Sequence, residues 1–332
     1  MKQFIAVLGL GLGLLASSFA CAAEPYGIGL EGFAYPYPVA MLAVPGEGET
    51  LRLAYMDVNP TGPANGRSIV LLHGRNFPSS YWEPTIKALA GSGYRVVVPD
   101  QVGFGKSSKP TAPLSFDLLA RDTLALIDHL GLAKVDIVAH SMGGMLAVRF
   151  ARSYPDRLNR LVMAAPIGLE DYRNFVPPVD TERLLADEDK LTPDAYRRQL
   201  VTNYSLTLPP EDITPFIDAR MRIKDSAEYP RWLRAFVNSY QMIYSQPVVY
   251  EIPLLPQKVL FIMGGNDHNA PGRAYAPEAQ RPRMGDNARL ARELAARMKD
   301  ARVEVFDGVG HLVQLEAKDR FNASVLTFLN AS

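Results

Sequence analysis

The chain has 332 residues, 48% of them hydrophobic, with 35 basic and 35 acidic side chains and no formal net charge. Length and composition are those of a globular protein with a large core. The balance leaves no basic surplus for nucleic acid and no charged tail for a membrane surface.

Lys2 precedes an apolar run over residues 4–15, and small residues then lead through Ala20-Cys21-Ala22-Ala23 to Glu24. A basic start, a short apolar stretch and a small-x-small site spell a secretory signal over residues 1–23, cleaved after Ala22 or Ala23. The run is shorter than the ~20 apolar residues of a membrane span. The mature chain is therefore expected to be periplasmic or secreted, with no stable span. Lipid anchoring at Cys21 fits less well, because Ser18-Phe19-Ala20 ahead of it does not match the aliphatic and small residues of a lipoprotein signal. Cys21 is the only cysteine, so a mature chain would carry no disulfide, thiol nucleophile or thiolate metal site.

Residues 24–50 are rich in Pro, Gly and Tyr without a clear period and read as an arm over the body. Residues 51–57 alternate like a strand. Residues 68–72 form a continuous apolar run ending at His73-Gly74, as a strand buried on both faces would. A helix is expected over 82–90, a buried strand over 94–100, a loop over 101–113 and a helix over 115–130. Residues 135–138 and 158–165 read as two further buried strands with a helix between them. This alternation implies an α/β class, with a mostly parallel sheet and helices on both faces.

The alternation breaks over residues 169–251. Thr192-Pro193-Asp194 and Thr214-Pro215-Phe216 look like helix starts, with Thr as N-cap and Pro in the first turn. Residues 231–244 look like another helix. The stretch reads as an aromatic-rich helical cap inserted into a core made of residues 51–168 and 252–332, most of its aromatics being packing. The core resumes with a strand at 258–263 leading to Gly264-Gly265-Asn266-Asp267. A long Pro- and Arg-rich loop at 269–285 and a helix at 287–298 follow. A last strand at 301–306 leads to Gly308-Val309-Gly310-His311, and a terminal helix covers 318–329.

The chemistry centres on Val138-Ala139-His140-Ser141-Met142-Gly143-Gly144. A strand, a tight turn carrying Ser and a helix make a nucleophile elbow, which pushes the hydroxyl out at the strand end beside the free N–H groups of the helix start. A Ser hydroxyl needs a base, and the base needs an acid to fix its tautomer. Among five histidines, His311 ends a strand region after Asp267 ends another, giving the order Ser141, Asp267, His311. Parallel strands present their C-terminal ends together. His140 adjoins the Ser but must point away through the turn. Asp100 is the rival acid, although its loop reads better as a turn held by a carboxylate. Acyl chemistry also needs two N–H donors for an oxyanion. Met142 supplies one, and the backbone of Arg75 after His73-Gly74 is the best candidate for the other, with Asn76 next. The side chains of Arg75 and Asn76 face either substrate or solvent. Asn76, Phe77, Trp82 and His140 are the candidate pocket residues.

These pieces resemble an α/β-hydrolase fold serine hydrolase of the capped, esterase-like kind. The resemblance rests on Leu71-Leu72-His73-Gly74, the loop from Pro99-Asp100 to Lys106-Ser107-Ser108, the elbow at Ser141, Gly265-Asn266-Asp267 and Gly308-Val309-Gly310-His311. It implies Ser141 as nucleophile, His311 as base and Asp267 as acid. Ala139 departs from the usual G-x-S-x-G, and the loop after Asp267 is longer and richer in Arg than usual, which would gate access to His311. Haloalkane dehalogenases and epoxide hydrolases share the outline, but they use Asp at the elbow. The expected activity is cleavage of a carboxylic ester of a small molecule, with no metal or organic cofactor. Lactones, amides and the carbon–carbon bonds of vinylogous diketo acids use the same triad. A binding protein or receptor that keeps the fold is the alternative of a different class.

Overall fold

A computed structural model describes residues 26–331. The expected signal, its cleavage site and Cys21 lie outside the described residues. Strands β1 (Val39–Pro45) and β2 (Thr50–Val58) form an antiparallel pair. The chain then alternates through β3 (Ser68–Leu72), α1 (Glu83–Gly91), β4 (Arg95–Asp100), α2 (Phe116–His129), β5 (Val135–His140), α3 (Met142–Ser153) and β6 (Leu158–Ala164). Four helices follow with no strand between them: α4 (Thr181–Asp189), α5 (Pro193–Tyr204), α6 (Pro210–Ile223) and α7 (Tyr229–Ser245). Alternation resumes with β7 (Lys258–Gly264), α8 (Asn287–Ala295) and β8 (Ala301–Phe306), and the short α9 (Val313–Glu316) and α10 (Lys318–Asn330) close the chain.

The eight strands run in the order β1-β2-β4-β3-β5-β6-β7-β8. β2 pairs antiparallel with β4, and every pairing from β4 to β8 is parallel. The central strands are β-branched and aliphatic because both faces are covered. Val70 and Leu72 of β3 and Ile137 and Ala139 of β5 face one apolar layer, while Ile69, Leu71 and Val138 face the other. Each of these Val, Leu and Ile side chains, fully buried, contributes about 1.5–3 kcal/mol. Helices α2, α3 and α8 pack on the first layer, and α1 and α10 on the second. The C-terminal ends of β5, β7 and β8 therefore open onto one edge, beneath the four inserted helices.

Three expectations need correction. The arm of residues 24–50 contains β1, whose seven residues are all apolar although the strand is mostly exposed and buries only Val44 fully, so it shows no polar/apolar alternation. Thr214-Pro215 does not start a helix. α6 begins at Pro210 behind Pro209, with Glu211 and Asp212 in the first turn, and Pro215 lies inside it. The Thr214 hydroxyl donates back to the Pro210 carbonyl at 2.8 Å instead of capping. The helix expected to run to Met298 stops at Ala295. Thr192 does cap α5, accepting from the Ala195 amide.

Candidate active site

Ser141 sits between β5 and α3 with φ 54° and ψ −118°, a backbone that L-residues adopt only when the surroundings impose it. The turn is tight. A Cβ on Gly143 would lie 2.6 Å from the Leu72 carbonyl oxygen and 2.9 Å from that of His73. Ala139 is accommodated without exposure, because its methyl points into the core layer rather than into the turn.

The strand ends bring the three expected residues together. The Ser141 hydroxyl is 2.9 Å from His311 Nε2, and His311 Nδ1 is 2.9 Å from Asp267 Oδ2. All three side chains are buried. A carboxylate can only accept, so Nδ1 carries the proton and Nε2 is free to accept from Ser141. Asp267 Oδ1 accepts the Asn269 amide at 2.9 Å, which fixes the carboxylate plane. Asn269 Nδ2 lies 3.3 Å from His311 Nε2. Met142 opens α3, so its amide belongs to the first turn, whose N–H groups the helix leaves unused. Gly74 lies against the nucleophile, since a Cβ there would be 3.1 Å from that of Ser141, and Arg75 follows it.

His140 and Trp82 are buried, and neither lines the cavity that holds Arg75 and Asn76. The Gly74 amide donates to the Tyr81 hydroxyl at 2.9 Å, so that hydroxyl donates onward to His140 Nδ1 at 2.9 Å. His140 Nε2–H then donates to the His311 carbonyl at 3.0 Å. Burial, followed by the neighbouring His311 ring, holds the His140 pKa well below its ordinary value, so the ring is the neutral tautomer this relay requires. Trp82 is fully buried, stacked on Tyr81 and packed near Phe321. Both residues are core supports: the turn directs residue 140 away from Ser141, and the Trp82 ring packs against Tyr81 and Phe321.

The Arg75 side chain is half-buried and turns away from the triad toward the inserted helices. Its guanidinium rises into α7, donating to Ser239 Oγ at 2.8 Å and to the Phe236 carbonyl at 2.9 Å, with Cζ 3.7 Å above the Phe236 ring. Burial brings its pKa down to about 10. Arg220 of α6 lies beside it, with Cζ 4.2 Å from the same ring and 4.1 Å from that of Tyr196. Burial, and then the Arg75 charge, push Arg220 well below its usual value, and Glu188 pairs with it. Arg75, Asn76 and Arg220 share one narrow cavity with Phe77, Phe216, Trp232, Phe236 and the turn Gly103-Phe104-Gly105. Two cations, Arg220 buried and Arg75 half-buried, against one carboxylate leave the polar end of this cavity attractive to an anion.

Four other residues at the site were not among the sequence candidates. Tyr204, the last residue of α5, lies over His311 with ring centroids 4.4 Å apart. Its hydroxyl accepts from Asn76 Nδ2 at 2.5 Å, its carbonyl accepts the His311 amide at 2.8 Å, and burial raises its pKa to about 12. Glu316 is a clamp. Oε1 accepts the Leu312 amide at 2.9 Å, and Oε2 accepts the Gly310 and Thr207 amides at 3.0 Å each and the Thr207 hydroxyl at 2.8 Å. The other two are Arg220 and Tyr81. Glu316, five residues after His311, and Tyr81, between Phe77 and Trp82, lie close enough in sequence to candidate residues to invite inspection. The arginines of the 269–285 loop mostly satisfy the loop itself: Arg273 and Arg281 donate to the carbonyls of His268, Ala274 and Ala276. Asp100 is not an acid of the triad. Its Oδ1 accepts the Ser79 amide at 2.8 Å, and its Oδ2 accepts the Lys106 amide at 2.8 Å and the Tyr35 hydroxyl at 2.5 Å.

A strand-end Ser, Asp and His in this chain order, on this sheet, coincide with a match of residues 69–324 to the alpha/beta hydrolase family. The chain belongs to that family. It is an enzyme of the hydrolase class, acting on a small molecule. The α/β hydrolase is 31% identical to the 2-hydroxy-6-oxononadienedioate/2-hydroxy-6-oxononatrienedioate hydrolase of Burkholderia vietnamiensis, across 85% of this chain and 92% of that protein. It is 27% identical to the 2-hydroxy-6-oxo-6-phenylhexa-2,4-dienoate hydrolase of Burkholderia cepacia, across 80% and 88%. Among solved structures, a probable hydrolytic enzyme from Pseudomonas aeruginosa superposes with a TM-score of 0.89 at 39% identity, covering 93% of this chain and 99% of that one. Among the described residues of this hydrolase, no cluster of three or more His, Cys, Asp or Glu side chains could hold a metal ion, and no helix is long and apolar enough to cross a membrane.

Proposed function

We propose that this hydrolase cleaves a carbon–carbon bond beside a ketone in a small, carboxylate-bearing, vinylogous keto acid. Ser141, His311 and Asp267 would be the catalytic residues, and the Met142 and Arg75 amides the oxyanion donors. The ester reading of the sequence gives way to this alternative. The observation that carries it is the Arg75–Arg220 pair in the cavity beside the oxyanion loop. A neutral ester offers these two guanidiniums no opposite charge, whereas a carboxylate offers charge-assisted bonds. The relatives named above act on substrates of that anionic, conjugated kind.

The chemistry follows from the site. His311 takes the Ser141 proton as Oγ adds to the ketone carbon, and the developing oxyanion rests on the two amides. The carbon–carbon bond breaks, its electron pair delocalises into the conjugated acid, and His311 returns the proton to that fragment. Water, activated by the same imidazole, releases the acyl group from Ser141. The sum is one water added across one bond.

The test sets a 2-hydroxy-6-oxo-dienoate against p-nitrophenyl acetate. The dienoate is expected to have the higher kcat/KM by at least tenfold. Arg220→Gln should raise KM for the dienoate by about tenfold or more, since a charge-assisted bond contributes about 1.5–3 kcal/mol, and should leave ester turnover alone. Faster ester cleavage, or an Arg220 variant indifferent to the substrate's carboxylate, would overturn the reading.

A further inference from the structure

The cavity beside the oxyanion loop has a wall that the hydrolase core does not supply. Leu30, from the arm ahead of β1, lines it together with Arg75 and Phe77. The side chain is buried among Ala219, Ile223, Trp232 and Phe236, so the arm enters between α6 and α7. Its backbone has φ 52° and is held in a turn, with the Leu30 amide on the Gly27 carbonyl at 2.9 Å and the Phe33 amide on the Leu30 carbonyl at 3.0 Å. Such a backbone costs a non-glycine residue of order 1–3 kcal/mol and persists only where the surroundings over-determine it.

The arm is fastened on two sides. Lys106 Nζ donates to the Leu30 carbonyl at 2.7 Å, and the Tyr35 hydroxyl donates to Asp100, which also holds the Lys106 amide. On the other side the Arg222 guanidinium stacks on Tyr26, with Cζ 3.7 Å from the ring centroid. The family match begins at residue 69, so the arm lies outside the matched span.

We propose that Leu30 is a specificity-determining residue: the arm closes the distal end of the substrate cavity, and the Leu30 side chain sets how long an acyl or alkyl group the site accepts. This rests on the reading that substrate reacts at Ser141 and extends past Gly74 toward Arg75, but not on which bond is cleaved. Replacing an isobutyl group by a methyl opens the wall, and replacing it by a benzyl group extends the wall inward.

The test uses the full chain as wild type, Leu30→Ala and Leu30→Phe, with alkyl fluorophosphonates of graded chain length. Ser141 displaces fluoride from phosphorus in each, so the labelling rate reads cavity length independently of the natural substrate. The expected readout is the ratio of labelling rates for long and short probes. A buried methylene is worth about a fourfold rate factor, so the ratio should rise about tenfold or more in Leu30→Ala and fall in Leu30→Phe, with folding of each checked by its melting transition. If Leu30→Ala does not fold, the Leu30→Phe arm decides alone. Ratios equal to wild type in folded variants that still label at Ser141 would overturn the proposal and leave the catalytic assignment standing. Absence of labelling in wild type would overturn both.

Discussion

Glu316→Gln is a test of how the base is held. The carboxylate accepts four hydrogen bonds: one on Oε1 from Leu312, and three on Oε2 from Gly310 and Thr207. An amide has one accepting oxygen and one donating nitrogen. The cheaper orientation keeps the oxygen on the three-donor side, which sets an NH2 group against the Leu312 amide. One charge-assisted bond becomes a donor–donor contact, at a cost of about 1.5–3 kcal/mol. For a chain of this size that lowers Tm by about 3–6 °C, the low end of the usual range. The two amides concerned flank His311, so its imidazole shifts relative to Ser141, and a displacement approaching 1 Å costs up to about 10²-fold. The expected result is a kcat lowered about tenfold or more with KM little changed. Thr207→Val, which removes one donor and leaves the carboxylate in place, should cost about 1 kcal/mol and spare kcat. Thermal melts and steady-state kinetics on the three proteins check this. A Glu316→Gln variant that melts and turns over like wild type would refute the clamp.

Asp267→Asn should lower kcat by about 10³–10⁴-fold while the protein stays folded, because the amide can face Nδ1 with its NH2 group and favour the wrong imidazole tautomer; unchanged turnover of the best substrate would remove Asp267 from the triad. Asp122, buried in α2 with Oδ2 unpartnered, has its pKa raised to about 6, chiefly by burial and against the pull of Arg121. Between the ordinary carboxylate range and about 6 the folded state therefore holds a proton that the unfolded state has lost, so this group's contribution to stability falls as pH rises through that window. Asp122→Asn should raise the urea midpoint at pH 7 and not at pH 4, and equal gains at both would show that the carboxylate is not the cause. The chain expressed from Met1 in a bacterium is expected to be recovered from the exported fraction with Ala23 or Glu24 as its first residue; N-terminal sequencing that finds Met1 on the cytoplasmic protein would set the signal reading aside.

The parts legible in the sequence were those where burial on both faces forces a continuous apolar run. Residues 68–72, 135–138 and 258–263 could be read as strands for that reason, and the residues at their ends, Ser141 and Asp267, came with them. β1 escaped although Val39-Ala40-Met41-Leu42-Ala43-Val44-Pro45 is itself a continuous apolar run, because the Pro, Gly and Tyr residues around it mark the whole stretch as irregular. Pro215 misled because a Thr-Pro pair signals a helix start only where no better one precedes it, and Pro209-Pro210 preceded it. Trp82 and His140 were misplaced for a different reason: chain proximity to His73 and Ser141 does not give the side-chain direction, and the elbow sends residue 140 to the far side. Tyr204, Arg220 and Leu30 reach the site across long sequence separations, through the packing of α5, α6 and the arm on the core. No local pattern encodes that packing.

Ser141 and His311 are 170 positions apart, one on the central strand β5 and the other beyond the last strand β8, with all four inserted helices between them in the chain. Bringing such distant segments together is the slow part of assembling a parallel sheet. Catalytic competence therefore reports the last event in folding. On dilution from denaturant, far-ultraviolet ellipticity should recover before hydrolysis does. A chain stalled short of docking β8 would look nearly native by secondary structure and carry a serine without its base.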